Sequence, residues 1–226
     1  MKVALCFSGM PRFVYETYAY WQRCLLKPYA PDVFVHLWRT HSQEDERIAR
    51  FLQDVYQPRI LRQEHTRTWD VSIYKERIWP HRTTPQTQIS QYYGIQQSQR
   101  LRAQWEEAHG FRYDVVIRAR FDWYLQHVHL EINDCVNVAH TPTLCNHKFG
   151  WQGATHVGIS DQFAYGSSGV MTVYGDLVDN MANLYLNHGI DFCGELFLRS
   201  HLLFHGIPVR EHVWNNGIVR STHIMP

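Results

Sequence analysis

The chain has 226 residues, of which 45% are hydrophobic and 14% aromatic, and its 22 Lys and Arg residues nearly balance its 21 Asp and Glu residues. This composition excludes a disordered chain, the near-neutral charge argues against nucleic acid as a partner, and the length favours one domain. No run approaches the ~20 consecutive apolar residues that span a bilayer, and the N-terminus lacks the long apolar region of a signal peptide. We therefore expect no transmembrane segment and a soluble, cytoplasmic protein.

Strand and helix patterns alternate along the first third of the chain. "KVALCFSG" near the N-terminus and "PDVFVHLW" from Pro31 to Trp38 predict short buried strands. The helical spacing in "YETYAYWQRCLLKPY" between them predicts a helix that stops before Pro28. A second helix is predicted from Gln43 to Tyr56, and "RILRQE" after it is a candidate third strand.

The middle of the chain contains an irregular segment, a long helix and a charged strand. The segment from Thr66 to Thr87 has no regular period, which predicts a long functional loop. A helix then extends from Thr87 to a C-capping Gly110. "DVVIRARFDWYL", residues 114–125, is predicted to be the central strand, and its two arginines and Asp122 then project from one face.

The last hundred residues continue the same alternation. "CVNVAH" precedes a Gly- and His-rich loop from Thr141 to Gly158, and "DQFAYGSS" is a strand that enters a turn. Two helices, "VMTVYGDLVDNMANLYLNHG" and "DFCGELFLRSHLLFHG", precede a late strand, "IPVREHV". The whole order predicts an α/β fold, with a mostly parallel central sheet, helices on both faces and a ligand crevice at the carboxyl ends of the strands.

The cysteines and histidines give no clear metal or disulfide motif. The five cysteines, widely spread and without a CxxC pair, are typical of free thiols. The 15 histidines include "HVH" and "CNH", which lack the paired spacing of a zinc site. We expect most histidines at the surface or the edge of the core, with a structural zinc as the alternative.

Polar residues follow the first and the central predicted strands. Backbone N–H groups at Ser8 and Gly9 can approach a phosphate, and Arg12 can add a charge-assisted hydrogen bond, although an ordinary turn explains the same pattern. Asp122 can hold a divalent cation that bridges two phosphates. Arg118 and Arg120 can contact the phosphates or orient Asp122; a purely structural Arg–Asp cluster is the alternative.

Two further carboxylates are candidates for catalysis. Asp161 suits the edge of a cleft, but Asp also commonly begins turns. Glu195 lies near the first turn of the last predicted helix, for which Asp191 is a candidate N-cap. A carboxylate there favours the helix dipole, or it acts as a general base for a hydroxyl group.

Five segments, in order over nearly the whole chain, resemble one family: "MKVALCFSGMPR", "PDVFVHLW", "ISQYYGIQQS" before "YDVVIRARFD", "ISDQFAYGSS" and "GELFLRSHL". This family of GT-A-type glycosyltransferases occurs in bacterial surface-polysaccharide clusters and in large DNA viruses of algae, where a rhamnosyltransferase domain is one example. The resemblance implies a GT-A-like single domain, with a nucleotide-sugar-binding half at 1–125 and an acceptor and catalytic half at 126–226. It further implies inverting transfer from a UDP-, dTDP- or GDP-linked sugar to a glycan or other hydroxyl acceptor. A lipid-linked acceptor at a membrane surface is an alternative that no basic amphipathic helix supports.

The resemblance also implies residue roles. Asp161 would lie near the transferred sugar or the acceptor, and Glu195 matches the carboxylate that serves as base in inverting members. GT-A enzymes bind Mn²⁺ or Mg²⁺ through a DxD motif, but here Arg120 replaces the first Asp and only Asp122 remains, so a metal requirement is an open question. The residues implied to line the nucleotide pocket or lie near the donor are Ser8, Gly9, Arg12, Ser90, Gln91 and Tyr92, and Gln162 and Gly194 are neighbours without an assigned role.

Other functions are compatible with the same residues. A sugar- or nucleotide-binding domain without catalysis is one alternative, because fold does not fix function. A metal-dependent phosphohydrolase that uses Asp122, Asp161 and Glu195 is another, and a structural domain is a third. The loop tryptophans Trp69, Trp79 and Trp151 either stack on sugar rings or anchor their loops.

Overall fold

The computed structural model describes residues 1–40, 42–78, 84–143 and 158–219. Trp79, Trp151, Cys145 and His147 lie outside the described residues. The strands are β1 (Val3–Gly9), β2 (Asp32–Arg39), β3 (Ile60–His65), β4 (Val115–Ala119), β5 (Trp123–Leu125), β6 (Ala139–Pro142), β7 (Phe163–Gly166), β8 (Val209–His212) and β9 (Asn216–Ile218). The helices are α1 (Val14–Trp21), α2 (Lys27–Tyr29), α3 (Gln43–Tyr56), α4 (Pro85–His109), α5 (Ser168–Gly175), α6 (Leu177–Leu186) and α7 (Gly194–Phe204).

A seven-stranded, mostly parallel sheet forms the centre of the described structure, in the order β3-β2-β1-β4-β7-β6-β8. The first four strands of this order pair in parallel, as do β6 and β8, whereas β7 is antiparallel to both of its neighbours. The predicted α/β architecture is therefore confirmed. Because β7 runs against β4, the residues just before β7 lie beside the carboxyl end of β4.

Both faces of the sheet are covered by helices, because alternate side chains of the buried strands are apolar on each face. Leu5 and Phe7 of β1 pack with Val14 of α1 and Leu52 of α3 on one face. Cys6 of β1 belongs to the core of the opposite face, which α4, α5, α6 and α7 cover. The predicted helical layers on both faces are thus confirmed.

The predicted central strand at 114–125 is not continuous, which corrects the sequence interpretation. β4 ends at Ala119, and the chain turns through 120–122 before β5, which pairs with β9 in a separate two-stranded sheet. The turn is held from two sides: the Thr17 hydroxyl donates to the Phe121 carbonyl at 2.7 Å, and the Val219 N–H donates to the Asp122 carbonyl at 2.8 Å. Arg120 and Asp122 therefore project from a turn and not from a strand face.

Three helix boundaries also differ from those predicted. The first helix does not stop before Pro28: a π-helical turn at Gln22–Leu26 joins α1 to α2, which contains Pro28. The predicted helix over 170–189 is broken at Asp176 into α5 and α6. Cys193, not Asp191, occupies the N-cap position of α7.

The thiols and helices of the described part of the chain are consistent with two further expectations. Cys6, Cys24, Cys135 and Cys193 are buried free thiols. Burial raises the pKa of Cys6 to about 12, so this thiol is protonated near neutral pH.

None of the helices within the described ranges combines the length and apolar character needed to cross a membrane.

Candidate functional site

A cleft opens at the carboxyl ends of β1 and β4, beside the first turns of α4. Its volume is about 150 Å³. This is the position that the strand order predicts for a ligand site in an α/β sheet. The residues that line it are Ser8, Gly9, Met10, Arg12, Trp38, Thr87, Ser90, Gln91, Arg118, Arg120, Phe121 and Asp122.

The end of β1 contributes a buried hydroxyl and an unusual backbone conformation to the cleft. Ser8 is buried, and its hydroxyl oxygen has no hydrogen-bond partner within the described structure. Gly9 has φ of +111°, a conformation that side chains with a Cβ rarely adopt. The chain can therefore turn sharply into the segment that carries Arg12, which also lines the cleft.

Arg118 places a fully buried cation at the floor of the cleft. One of its Nη atoms donates to the backbone carbonyl of Asp161, but Nε and the other Nη atom have no partner among the described residues. Burial lowers the pKa of Arg118, which reflects a charge taken out of water. Buried N–H groups without partners are costly, so a ligand with acceptor oxygens in the cleft would stabilise this guanidinium.

Arg120 and Asp122 form a two-point ion pair in the turn after β4. Arg120 Nε lies 2.8 Å from Asp122 Oδ1, and Nη2 lies 2.7 Å from Oδ2. Burial opposes the charge on Arg120, but the bond to Asp122 and the nearby charges of Asp161 and Glu195 raise its pKa above the usual value. Both carboxylate oxygens of Asp122 are therefore occupied by a guanidinium.

This pairing does not fit a divalent cation at Asp122. A metal site needs free oxygen ligands, and a metal here would have to displace Arg120 from a buried carboxylate. Within the described ranges, the oxygens of Asp122, Asp161 and Glu195 also do not come together as a set of three ligands. The guanidinium of Arg120 thus pairs with the one carboxylate that remains of the DxD motif.

Asp161 and Glu195 lie beside the arginines. Asp161 Oδ2 accepts hydrogen bonds from the Gln91 amide and, at 3.2 Å, from the Tyr92 hydroxyl. Glu195, in the first turn of α7, accepts from the Cys193 thiol at 3.2 Å. Burial is the main cause that raises the pKa of Glu195, and the negative charge of Asp161 raises it further. The backbone hydrogen bond at the helix start lowers the pKa, but by less. A raised pKa suits a carboxylate that must take up a proton.

Two glycines allow the chain to pack closely around Glu195. A Cβ on Gly194 would lie 2.7 Å from Tyr92 Cε2, and a Cβ on Gly158 would lie 2.6 Å from Glu195 Cβ. The Ile159 N–H also donates to the Glu195 carbonyl at 3.2 Å. The start of α7 is thus held against both α4 and the segment that carries Asp161.

An aromatic group borders the cleft on the side of β2. The rings of Trp38 and Tyr93 stack with centroids 5.6 Å apart, and Trp69 lies 4.9 Å from Tyr93. The Trp69 indole N–H donates to the Ser90 hydroxyl at 2.8 Å. Trp69 therefore anchors its loop to α4, which is one of the two roles expected for the loop tryptophans.

The structure brings the predicted site residues to one region. Eight of them line the cleft, and Tyr92, Asp161 and Glu195 are linked to it through the contacts given above. Sequence reasoning did not single out Met10, Thr87 or Phe121. Met10 lies inside "FSGMPR" and Phe121 inside "RARFD", so both could have been found by treating every residue of a strand-end motif as a candidate.

A separate group of potential metal ligands occurs elsewhere in the described structure: Glu131, His140 and His212. The sequence interpretation missed this group because the three residues share no short motif. Comparison with known proteins adds no identification: no protein-family model matches this chain, and no curated protein matches it.

Proposed function

We propose that this protein is a glycosyltransferase of GT-A-like fold that transfers a sugar from a nucleoside diphosphate donor to a hydroxyl acceptor. The observation that carries the proposal is Arg118, a fully buried guanidinium with two unpartnered nitrogens on the floor of a strand-end cleft. A diphosphate is a ligand that could satisfy such a group. The resemblance of the ordered motifs to GT-A-type transferases supports the same function.

The anion-binding half of the proposed site lies at the ends of β1 and β4. The hydroxyl of Ser8, the cleft-lining Arg12 and the free nitrogens of Arg118 supply donors to the phosphate oxygens. Donors that are fixed before the reaction stabilise the charge that develops on a leaving diphosphate. Arg120, held in place by Asp122, adds positive charge beside them.

The acid–base half consists of Glu195 and Asp161. The acceptor oxygen forms a bond to the anomeric carbon while the bond from that carbon to the diphosphate oxygen breaks, and the electron pair leaves with the diphosphate. The acceptor proton passes to Glu195, whose raised pKa favours this transfer. Asp161, fixed by Gln91 and Tyr92, orients the sugar or acceptor hydroxyls. Attack from the face opposite the leaving group inverts the anomeric centre.

In this mechanism the guanidinium groups do the work that a metal does in DxD enzymes. Asp122 acts by holding Arg120 and not as a metal ligand, since both of its oxygens are paired. We expect turnover to persist in the presence of EDTA. Strict dependence on Mn²⁺ would contradict this assignment while leaving the transferase function intact.

Donor turnover tests the proposal. UDP-, dTDP- and GDP-linked hexoses would each be incubated with the purified protein and a mixture of simple glycosides, and release of the nucleoside diphosphate would be measured with EDTA and with Mn²⁺. We expect release from one donor class. Glu195→Gln should lower that rate by about 10²–10⁴-fold, the usual contribution of a positioned base.

Glu107→Gln is the matched control for Glu195→Gln. Glu107 is exposed and lies sixteen residues beyond Gln91 on α4, about 24 Å along the helix. Its replacement should leave turnover unchanged. Release of inorganic phosphate without an acceptor would favour a phosphohydrolase, and nucleotide binding without turnover of any donor would favour a non-catalytic binding domain.

A further inference from the structure

A second cluster of ligand-type side chains lies at the other end of the sheet from β3. His140 is on β6 and His212 is on β8, which are parallel neighbours at this edge. Glu131 precedes the 3₁₀ turn at Ile132–Asp134. One ligand atom from each of the three residues lies within 4.8 Å of the other two.

The two imidazoles already face one another. His140 Nδ1 lies 2.9 Å from His212 Nε2, and a carboxylate oxygen of Glu131 lies within 4.8 Å of one ring nitrogen of each histidine. An ion between the two nitrogens needs them only a few tenths of an ångström farther apart, because Zn–N bonds are about 2.0–2.1 Å.

Packing holds both rings in place. His140 is fully buried and stacks on Tyr165, with centroids 4.5 Å apart and planes 12° apart. His212 stacks on Trp214 at 4.6 Å with planes 3° apart. Ligands that are rigid before an ion arrives lose little conformational entropy when they bind it.

Arg210 orients the carboxylate of the cluster. Its Nη1 lies 3.0 Å from Glu131 Oε2 and also contacts Asp134, so Glu131 Oε1 is the oxygen turned toward His212. Outer partners of this kind fix the orientation of metal-binding carboxylates. Asp134 offsets the charge of Arg210, so the group carries a net negative charge that favours a cation.

We propose that Glu131, His140 and His212 bind a divalent transition-metal ion, with Zn²⁺ as the first candidate. Two imidazole nitrogens and one carboxylate oxygen form a ligand set that suits Zn²⁺, with water in the fourth position. Mg²⁺ and Ca²⁺ prefer oxygen ligands and should not bind here. Glu131 is partly exposed and provides a route for the ion from solvent.

The bound ion would link three separate segments at the sheet edge: the strands β6 and β8 and the residues before β6. Because the folded state alone assembles these ligands, binding should stabilise the fold. This role is independent of the proposed transferase function. Chelation should therefore lower thermal stability without removing nucleotide binding in the cleft.

The test uses tag-free protein of all 226 residues that has been stripped with a chelator and then titrated with Co²⁺ and Zn²⁺. We expect one equivalent of Co²⁺ to give the visible absorption of a four-coordinate ion, Zn²⁺ to displace it, and Zn²⁺ to raise Tm. Glu131→Gln and His212→Gln remove ligands that are less buried than His140, and each should weaken binding at least about tenfold. His129→Gln replaces an exposed histidine outside the cluster and should change nothing.

Three results would overturn the proposal: no four-coordinate Co²⁺ spectrum, a spectrum that is unchanged in both Glu131→Gln and His212→Gln, or binding that His129→Gln weakens equally. Any of them would leave the cluster as a hydrogen-bonded packing element. Should Glu131→Gln and His212→Gln both fail to fold, the Tm of the wild type is the test. A rise in Tm with Zn²⁺ that Mg²⁺ does not produce supports the proposed metal site. Absence of that rise decides against it.

Discussion

At the scale of single residues, the site contains charges that the fold does not fully compensate. Arg118 keeps unpartnered nitrogens in a buried position, and Glu195 is a partly buried carboxylate beside Asp161. Such groups cost stability and persist where a ligand completes them. The cleft is therefore the part of the molecule where stability and function should oppose each other.

The pH dependence of stability tests this view at Glu195. Its folded-state pKa is raised, so the native state binds its proton more readily than the unfolded chain, and ionisation at higher pH destabilises the fold. Glu195→Gln should therefore raise Tm at pH 7 to 8, and the difference should vanish as the pH falls below the ordinary Glu pKa of about 4.3. Thermal melts across this range measure the effect.

The exposed Glu107 again provides the control, because the Tm of Glu107→Gln should stay close to that of the wild type at every pH. A Glu195→Gln variant that is less stable than the wild type at neutral pH would show that the ionised carboxylate is stabilised by its surroundings. The raised pKa would then be an incorrect account of this residue.

At the scale of elements, α4 joins the two parts of the site. Its first turns line the cleft, and its middle is fixed to α5 by a buried network. Arg102 Nη1 lies 2.6 Å from Glu106 Oε2, and Nη2 lies 2.8 Å from the Thr172 hydroxyl. Both members of this ion pair are fully buried, so removal of one leaves a buried charge without its main partner.

Arg102→Met should therefore lower the free energy of unfolding by about 3–5 kcal/mol, the usual cost of breaking a buried ion pair. Arg100→Met is the control on the same helix, since Arg100 and Asp179 form an exposed pair at 3.4 Å that is worth at most about 1 kcal/mol. Urea unfolding of both variants measures the difference. Equal, small losses would mean that the buried pair does not hold α4 to α5.

The start of α7 depends on a close contact with α4. Ala at position 194 would place a Cβ 2.7 Å from Tyr92 Cε2, so Tyr92 or α7 must move. Gly194→Ala should cost about 1–3 kcal/mol of stability and also lower turnover, because Glu195 shifts with the helix. Gly169→Ala on α5, where no atom lies within 4 Å of the added Cβ, should be neutral or slightly stabilising. A fully active, stable Gly194→Ala would exclude this tight packing.

At the scale of the whole molecule, the sequence predicts the architecture better than the details of the site. Alternating periodicities predicted the α/β sheet, and the rule for strand ends then placed Ser8 and Arg118 in one cleft. Gln91, on a helix, was placed there only by the resemblance. The turn at 120–122 was missed because an apolar run with charges also suits a strand. The contacts that form the turn come from distant parts of the chain: β5 pairs with β9, and the Thr17 hydroxyl donates to the Phe121 carbonyl.

Contacts between residues far apart in the chain account for the other differences. The two hydrogen bonds from Arg120 to the Asp122 carboxylate form within that turn. The sequence alone therefore left two roles open for Asp122, a metal ligand and a member of an ion pair. The cluster of Glu131, His140 and His212 is drawn from β6, β8 and the residues before β6, and its members are up to 81 residues apart in the chain. No local spacing in the sequence indicates it. Periodicity and motif order carry no information about such tertiary pairs.

Calorimetric titration of UDP, dTDP and GDP into the protein in EDTA shows whether the cleft binds a diphosphate, with Arg118→Met as the comparison. We expect one nucleotide to bind without a metal and to bind about 10–100-fold more weakly to Arg118→Met. The fold of this variant should be at least as stable, because a buried cation with two unpartnered nitrogens is removed. Absence of binding by all three nucleotides, or equal binding by a folded Arg118→Met, would contradict the account of the cleft as a diphosphate site.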